Sequence, residues 1–336
     1  MTSLPAPQAI DQHIGGAIDQ AAFDALRSAV RPAVLRGIAA DWPAVQAANT
    51  GNRAMVDYLT ARAAARPIGA IAAAPSELGR FFYTADLSRL NFIKGTGALD
   101  AFLEDLLRAA ELPDAPAMAV QSEEIAALIP AFTQSNRLDI LPGVSPRIWI
   151  GNRIRVAPHY DAKENVAVCV AGRRRFTLFP PDQIANLYPG PFERTPAGTP
   201  VSMVDLANPD LGKYPRFAEA AQHAVQATLE PGDAIYIPYG WWHGVESLEA
   251  VSVLVNYWWA PGLPDGIGSP YDALLQALLS FKHLPEDQRE VWRTMLDYYV
   301  FEKGGDPAEH LPPHAQGVLG PASTQLFDTM RSLIRQ

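Results

Sequence analysis

The chain has 336 residues, 48 % hydrophobic and 19 % charged, a balance that supports a globular fold with a substantial core. Its net charge of −9 and pI near 5.3 offer no basic excess to meet phosphates, which excludes a general nucleic-acid or anionic-membrane binder. One cysteine, Cys169, rules out an intramolecular disulfide and a cysteine-based zinc site.

The opening Met-Thr-Ser-Leu-Pro-Ala-Pro lacks a basic segment followed by an apolar stretch, so no secretory signal is expected. No apolar run approaches the ~20 residues of a membrane span. A soluble, cytoplasmic protein with no membrane partner is the expectation. Asp19 is placed to cap a helix whose apolar positions Ala22, Phe23, Leu26 and Val30 follow helical spacing. Pro32 ends it, and residues 33–35 read as a short buried strand. The alanine-rich stretch 54–76 is expected to be helical in part.

Between Met118 and Trp259 short β-branched and aromatic runs recur between Pro/Gly turns, at 147–150, 165–170, 175–179, 234–238 and 251–259. Brief strands with frequent turns predict a β-sandwich or jelly roll, with 180–213 as a proline-rich insertion. Cys169, inside the apolar run 166–170, is expected to be a small buried hydrophobe rather than a nucleophile. After Pro264 the pattern turns helical. Ser269-Pro270 starts one helix carrying Leu274, Leu275, Leu278 and Phe281. A second begins near Pro285 with Val291, Met295, Tyr298 and Tyr299 on one face, and a third spans about 323–335 with Leu326, Met330, Leu333 and Ile334. Faces this apolar must cover the sheet or pair with a second subunit. The expected organisation is one domain over 1–336: a mixed helix and strand part at 1–117, a jelly-roll core at 118–262 and helices at 263–336.

The chemistry concentrates on three residues. Two histidines and a carboxylate on one face of an octahedron leave the other face open for co-substrate and O2. His159-Tyr160-Asp161 supplies the first two, with period-two alternation putting both on one side of a strand. His243 supplies the third. It follows the turn Pro231-Gly232-Asp233, the strand 234–238 and Trp241-Trp242, and is expected just past that strand. His13, His223, His283, His310 and His314 have no such setting and are read as surface or structural.

Alternation along 174–178 puts Arg174, Phe176 and Leu178 on one face and Arg173, Arg175 and Thr177 on the other. An arginine aligned with Phe and Leu is expected to be buried and to need an anion, either a bound carboxylate or a protein one. Arg173 and Arg175 are expected to be solvated or paired with surface acids.

His-Tyr-Asp, then Gly172-Arg173-Arg174-Arg175-Phe176-Thr177-Leu178-Phe179-Pro180-Pro181, then Pro-Gly-Asp with Trp-Trp-His, then Asn256-Tyr257-Trp258-Trp259 resemble the cupin-like branch of the JmjC oxygenases. That group includes the asparaginyl hydroxylase acting on hypoxia-inducible factor. The resemblance is strongest over about 118–260. It implies a double-stranded β-helix, Fe(II) at His159, Asp161 and His243, and 2-oxoglutarate as co-substrate of a hydroxylase. It further implies Arg174, in place of the usual lysine, against the far carboxylate, and Asn165 and Asn256 lining the cavity. The usual tyrosine and threonine for that carboxylate align with Ala119 and Val156, so Tyr83 or Thr177 is the expected replacement hydroxyl. The implied substrate is a protein or peptide side chain or a small molecule, and the implied assembly a homodimer through the C-terminal helices. Two other readings fit the same residues: a non-catalytic, dimeric cupin-like binding module, and a metal-dependent cupin that does not use 2-oxoglutarate.

Overall fold

A computed structural model describes residues 4–260 and 269–334. The described residues fall into two compact units, Met1–Trp259 and Ala260–Gln336. The expected core boundary at 262, Pro264 and the last expected helical residue, Arg335, lie outside the described residues.

In the first unit Asp19 accepts a hydrogen bond from the Ala22 amide at 2.8 Å and starts α1 (Gln20–Ser28). The helix stops before Val30, which was expected to continue its apolar face. Val30 instead takes φ 51° and is exposed, immediately before the Arg31-Pro32 pair, where proline disfavours helix in the residue ahead of it. Short strands β1 (Gln8–Ala9) and β2 (Asp11–Ile14) precede this helix, and β3 (Ala33–Arg36) follows it. Next come α2 (Pro43–Thr50) and α3 (Asn52–Thr60), then β4 (Pro67–Ala73), β5 (Arg80–Phe81) and β6 (Ile93–Ala98). The alanine-rich stretch is therefore helical only to Thr60. Beyond it β4 is captured by pairing with β6 and with β7 (Ala117–Glu124), so tertiary pairing overrides alanine's helical preference. Helix α4 (Leu99–Ala110) separates β6 from β7, and the short α5 (Ile125–Leu128) and α6 (Phe132–Ser135) follow.

The remaining strands are β8 (Pro146–Gly151), β9 (Arg155–His159), β10 (Glu164–Ala171), β11 (Arg174–Phe179), β12 (Val225–Leu229), β13 (Ala234–Ile237), β14 (Trp242–Ser247) and β15 (Ser252–Trp259). They form two sheets, β1-β12-β11-β14-β9-β5 and β2-β3-β13-β10-β15-β8-β7-β4-β6. Strands before residue 118 extend both sheets. Phe176, Leu178 and Leu229 of the first sheet interdigitate with Ala167, Cys169, Ile235, Ile237 and Leu254 of the second, closing the jelly-roll interior. The outer face of the larger sheet is covered by Phe23, Met55, Leu103 and Phe132 from the helices. The outer face of the smaller one carries the insertion, where Leu187 and Val204 meet Phe217 of α7 (Phe217–Gln222) and Trp242.

Two polar devices pin this arrangement. Arg27 donates twice to Glu164, both at 2.8 Å, and Tyr236 Oη donates to the same carboxylate at 2.9 Å, tying α1 to β10 and β13. Asp233, in the Pro-Gly-Asp turn, accepts from the Gly37 and Glu230 amides at 2.9 and 3.0 Å and pairs with Arg36. Asp233 thus fixes β3 to the turn.

In the second unit Ser269 accepts from the Tyr271 amide and caps α8 (Pro270–Phe281), which is followed by α9 (Glu286–Tyr299) and α10 (Thr324–Ile334). No residue of α8 or α9 is buried. Among the described residues no helix is long and apolar enough to cross a membrane.

Candidate metal centre

His159 ends β9 and stands directly opposite His243 on β14. The sequence placed His243 just past a strand, but β14 is a strand of its own. Its pairing with β9 holds the two imidazoles with ring centroids 4.3 Å apart. Asp161 lies beyond the end of β9 rather than on it, so strand alternation does not explain its position. Even so, its Oδ2 comes within 3.6 Å of His243 Nε2. One donor atom from each of the three residues lies within 4.8 Å of the others.

The histidines are oriented before any ligand arrives. His159 Nδ1 lies 3.0 Å from the Ala157 carbonyl and His243 Nδ1 lies 3.0 Å from the Trp241 carbonyl. A carbonyl only accepts, so each Nδ1 donates, which turns each Nε2 toward the shared space between the three residues. Burial, reinforced by the neighbouring His159, pushes the His243 pKa down to about 4, which keeps the ring neutral. Asp161 Oδ2 is buried with no hydrogen-bond partner among the described residues. A buried carboxylate oxygen beside two imidazole ring nitrogens is an arrangement that a divalent cation satisfies and that apolar packing does not.

Arg174 points into the barrel as alternation predicts, with Phe176 and Leu178. It is 4 % exposed, and its Nε donates to Ser252 Oγ at 2.9 Å. Its Nη2 is buried without a hydrogen-bond partner among the described residues, and burial lowers its pKa to about 10. No carboxylate among the described residues pairs with it. The flanking Arg173 and Arg175 instead turn outward to Glu249 and Glu246, each at 2.8 Å. Cys169 is buried, and its thiol pKa is raised to about 12 by burial, which removes it as a nucleophile.

Asn165 and Asn256 are both buried, on β10 and β15. Continuous alternation from His159 does not reach Asn165, because β9 and β10 belong to opposite sheets. Asn165 shares the inward parity of Ala167 and Cys169 instead. Asn256 Oδ1 accepts from Trp149 Nε1 at 2.8 Å, and its amide reaches Asn165 Oδ1 at 3.5 Å. Trp149, which the sequence reading missed, thereby sets which way Asn256 points.

Of the two expected replacement hydroxyls, Thr177 has the opposite parity and faces away from Arg174. Its Oγ1 accepts from Gln226 at 2.8 Å, and it lines an outer cavity of about 320 Å³ with Arg80, Arg155 and Arg175. Tyr83 packs with Phe82, Ala157 and Val201 against the insertion. Val156 does stand opposite Val245 on the inner face, and Ala119 packs among Ile71, Phe81 and Ile154, so both positions are apolar in fact as well as in sequence.

Comparison with known proteins meets this geometry from the other side. The family described as Cupin-like domain matches residues 19–263. "Lysine-specific demethylase JMJ31" of Arabidopsis thaliana is 31 % identical over 296 residues, 77 % of this chain and 52 % of that protein. Human "HSPB1-associated protein 1" is 39 % identical over 120 residues, 34 % of this chain and 24 % of its own length. "tRNA wybutosine-synthesizing protein 5" of Gallus gallus is 31 % identical over 159 residues, 43 % of this chain and 47 % of that protein. The chain thus spans about half, or less, of the relatives it matches. With the family match running from α1 past the end of β15, the chain belongs to the cupin-like (JmjC) domain family.

Proposed function

We propose that this chain is an Fe(II)- and 2-oxoglutarate-dependent oxygenase of the hydroxylase type, acting on a protein side chain or a small molecule. One observation carries the reading: two pre-oriented imidazoles and a carboxylate share the barrel with a buried arginine that no carboxylate among the described residues pairs with. Three donors alone would suit any metal-dependent cupin. The unpaired guanidinium adds a demand for a carboxylate-bearing ligand, which a cupin without that co-substrate does not have. The low count of basic residues supports a protein or metabolite substrate over a nucleic acid, and the single cysteine suits a cytoplasmic setting.

When bound, iron and 2-oxoglutarate supply oxygen activation coupled to decarboxylation, leaving succinate, CO2 and a hydroxylated product. The residues of this chain hold and orient. His159, Asp161 and His243 would occupy one side of the cation. Arg174 would hold the far carboxylate. Asn256, fixed by Trp149, and Asn165 would meet the near end, and the apolar interior excludes water between these points. Anaerobic reconstitution with Fe(II) tests the reading directly. Adding 2-oxoglutarate is expected to produce a weak metal-to-ligand charge-transfer band in the visible range. Bound iron with no such band would sink it.

The reading includes a homodimer built through the C-terminal helices. Leu275, Leu279, Val291, Trp292 and Met295 of α8 and α9 are exposed, an apolar surface that solvent does not favour on a free helix pair. Light scattering at micromolar concentration is expected to give twice the chain mass. A value of 36.5 kDa would count against the dimer.

A further inference from the structure

Ser247 is a polar group on the inner face of the barrel that the metal donors do not use. It lies on β14 directly opposite Arg174 on β11, in a register that also sets Val245 opposite Phe176 and His243 opposite Leu178. Directly opposite residues of an antiparallel pair share a face, so Ser247 and Arg174 point the same way as His243, at the other end of β14. Ser247 is 3 % exposed, and its Oγ has no hydrogen-bond partner among the described residues, as is true of Arg174 Nη2. Ser252, on β15 of the facing sheet, accepts from Arg174 Nε and so keeps its own hydroxyl proton free to donate. Orphaned buried donors are costly, and two on adjacent strands call for one shared acceptor.

We infer that Ser247, together with Ser252, supplies the hydroxyl donors that join Arg174 in holding the far carboxylate of 2-oxoglutarate. The inference rests on the reading of the site as 2-oxoglutarate-dependent. It answers the question left by Ala119 and Val156, which carry no hydroxyl where related hydroxylases have tyrosine and threonine. In this chain the donors come from β14 and β15 instead. A carboxylate offers about four acceptor positions, enough for an arginine and two hydroxyls at once. His243 and Ser247 are four residues apart on one strand, roughly 13 Å between their backbones at 3.3 Å per residue, a separation shared by the imidazole, the cation, the ligand and the side chains that meet its far end. A 2-oxo acid without a second carboxylate would leave all three donors unsatisfied. Ser247 is thus a specificity residue for dicarboxylates.

Isothermal titration of the Mn(II)-loaded full chain, without turnover, tests this with two ligands. 2-Oxoglutarate carries the far carboxylate, and 2-oxobutanoate lacks it. Ser247→Ala is expected to weaken 2-oxoglutarate about tenfold, the usual loss for one hydrogen bond to a charged group, and to leave 2-oxobutanoate unchanged. Ser247→Thr, which keeps the hydroxyl, is expected to restore most of the affinity. Unchanged 2-oxoglutarate affinity in Ser247→Ala, or equal loss for both acids, overturns the assignment while the co-substrate reading stands. A wild-type chain that binds manganese but not 2-oxoglutarate overturns both.

Discussion

Replacing His243 with alanine is expected to lower Fe(II) affinity by at least about 100-fold, since losing a ligand exceeds the 10–100-fold cost of losing a ligand's supporting partner. Two features of the site make the loss steep. The site offers three protein donors, so one fewer leaves His159 and Asp161, one of which is held beyond the end of its strand. His243 is also the donor best prepared for its task, with Nδ1 committed to the Trp241 carbonyl and the ring kept neutral by burial. The same substitution disturbs the fold little. The neighbouring pairs of β14 with β11 are backbone contacts, and the lost ring makes one backbone hydrogen bond worth about 1 kcal/mol. Metal analysis after anaerobic Fe(II) loading and gel filtration is expected to give about one iron per wild-type chain and almost none in the variant, with superimposable circular dichroism. Full iron retention by His243→Ala would remove it from the ligand set.

The sequence carried the jelly roll because its strands are short β-branched runs between Pro and Gly turns, and five such runs became β8, β10, β11, β13 and β15. It did not carry β14. Trp242-His243-Gly244-Val245-Glu246-Ser247 alternates poorly, its glycine lowers strand propensity, and its standing as a strand comes from partners on both sides. Missing β14 had a consequence, because the parity 243, 245, 247 that brings Ser247 to the barrel interior exists only if His243 lies inside a strand. Arg174 was legible from alternation alone. That no carboxylate among the described residues pairs with it was not, since such a partner can arrive from any strand or loop. Asp161 shows a converse case, in which a residue expected beside His159 from strand parity does cluster with the two histidines, but from beyond the end of β9. At the N-terminus alanine misleads, because Ile68, Ile71 and Ala73 of β4 reach the core by pairing with β6 and β7 rather than by helical burial.

Arg174→Met is expected to make the ligand-free protein more stable and to abolish tight 2-oxoglutarate binding, two effects of opposite sign from one cause. In the free protein the guanidinium is buried, bonded through Nε to Ser252 and with Nη2 unpartnered among the described residues, and burial disfavours its charged form. Replacing buried charge by an apolar chain of similar length commonly stabilises by about 1–4 kcal/mol, and the orphaned Ser252 hydroxyl returns part of that. With co-substrate present the balance reverses. Two charge-assisted hydrogen bonds to a carboxylate contribute about 1.5–3 kcal/mol each, so their loss weakens binding by roughly 100-fold or more. Ligand stabilises the native state by about 4 kcal/mol at a concentration 1,000 times its dissociation constant, and hardly at all well below it. Thermal melts of the Mn(II)-loaded proteins should therefore change rank. The variant is expected to melt above wild type without 2-oxoglutarate and below it with millimolar 2-oxoglutarate, whereas Arg174→Lys, which keeps a cation, should retain much of the ligand-induced rise. Equal ligand-induced rises in wild type and Arg174→Met would show that Arg174 does not hold the carboxylate. A variant destabilised in both conditions would show that it is a packing element of the barrel. Opposite shifts in the two melts would therefore tie the burial cost of the Arg174 guanidinium in the free protein to its contribution to carboxylate binding.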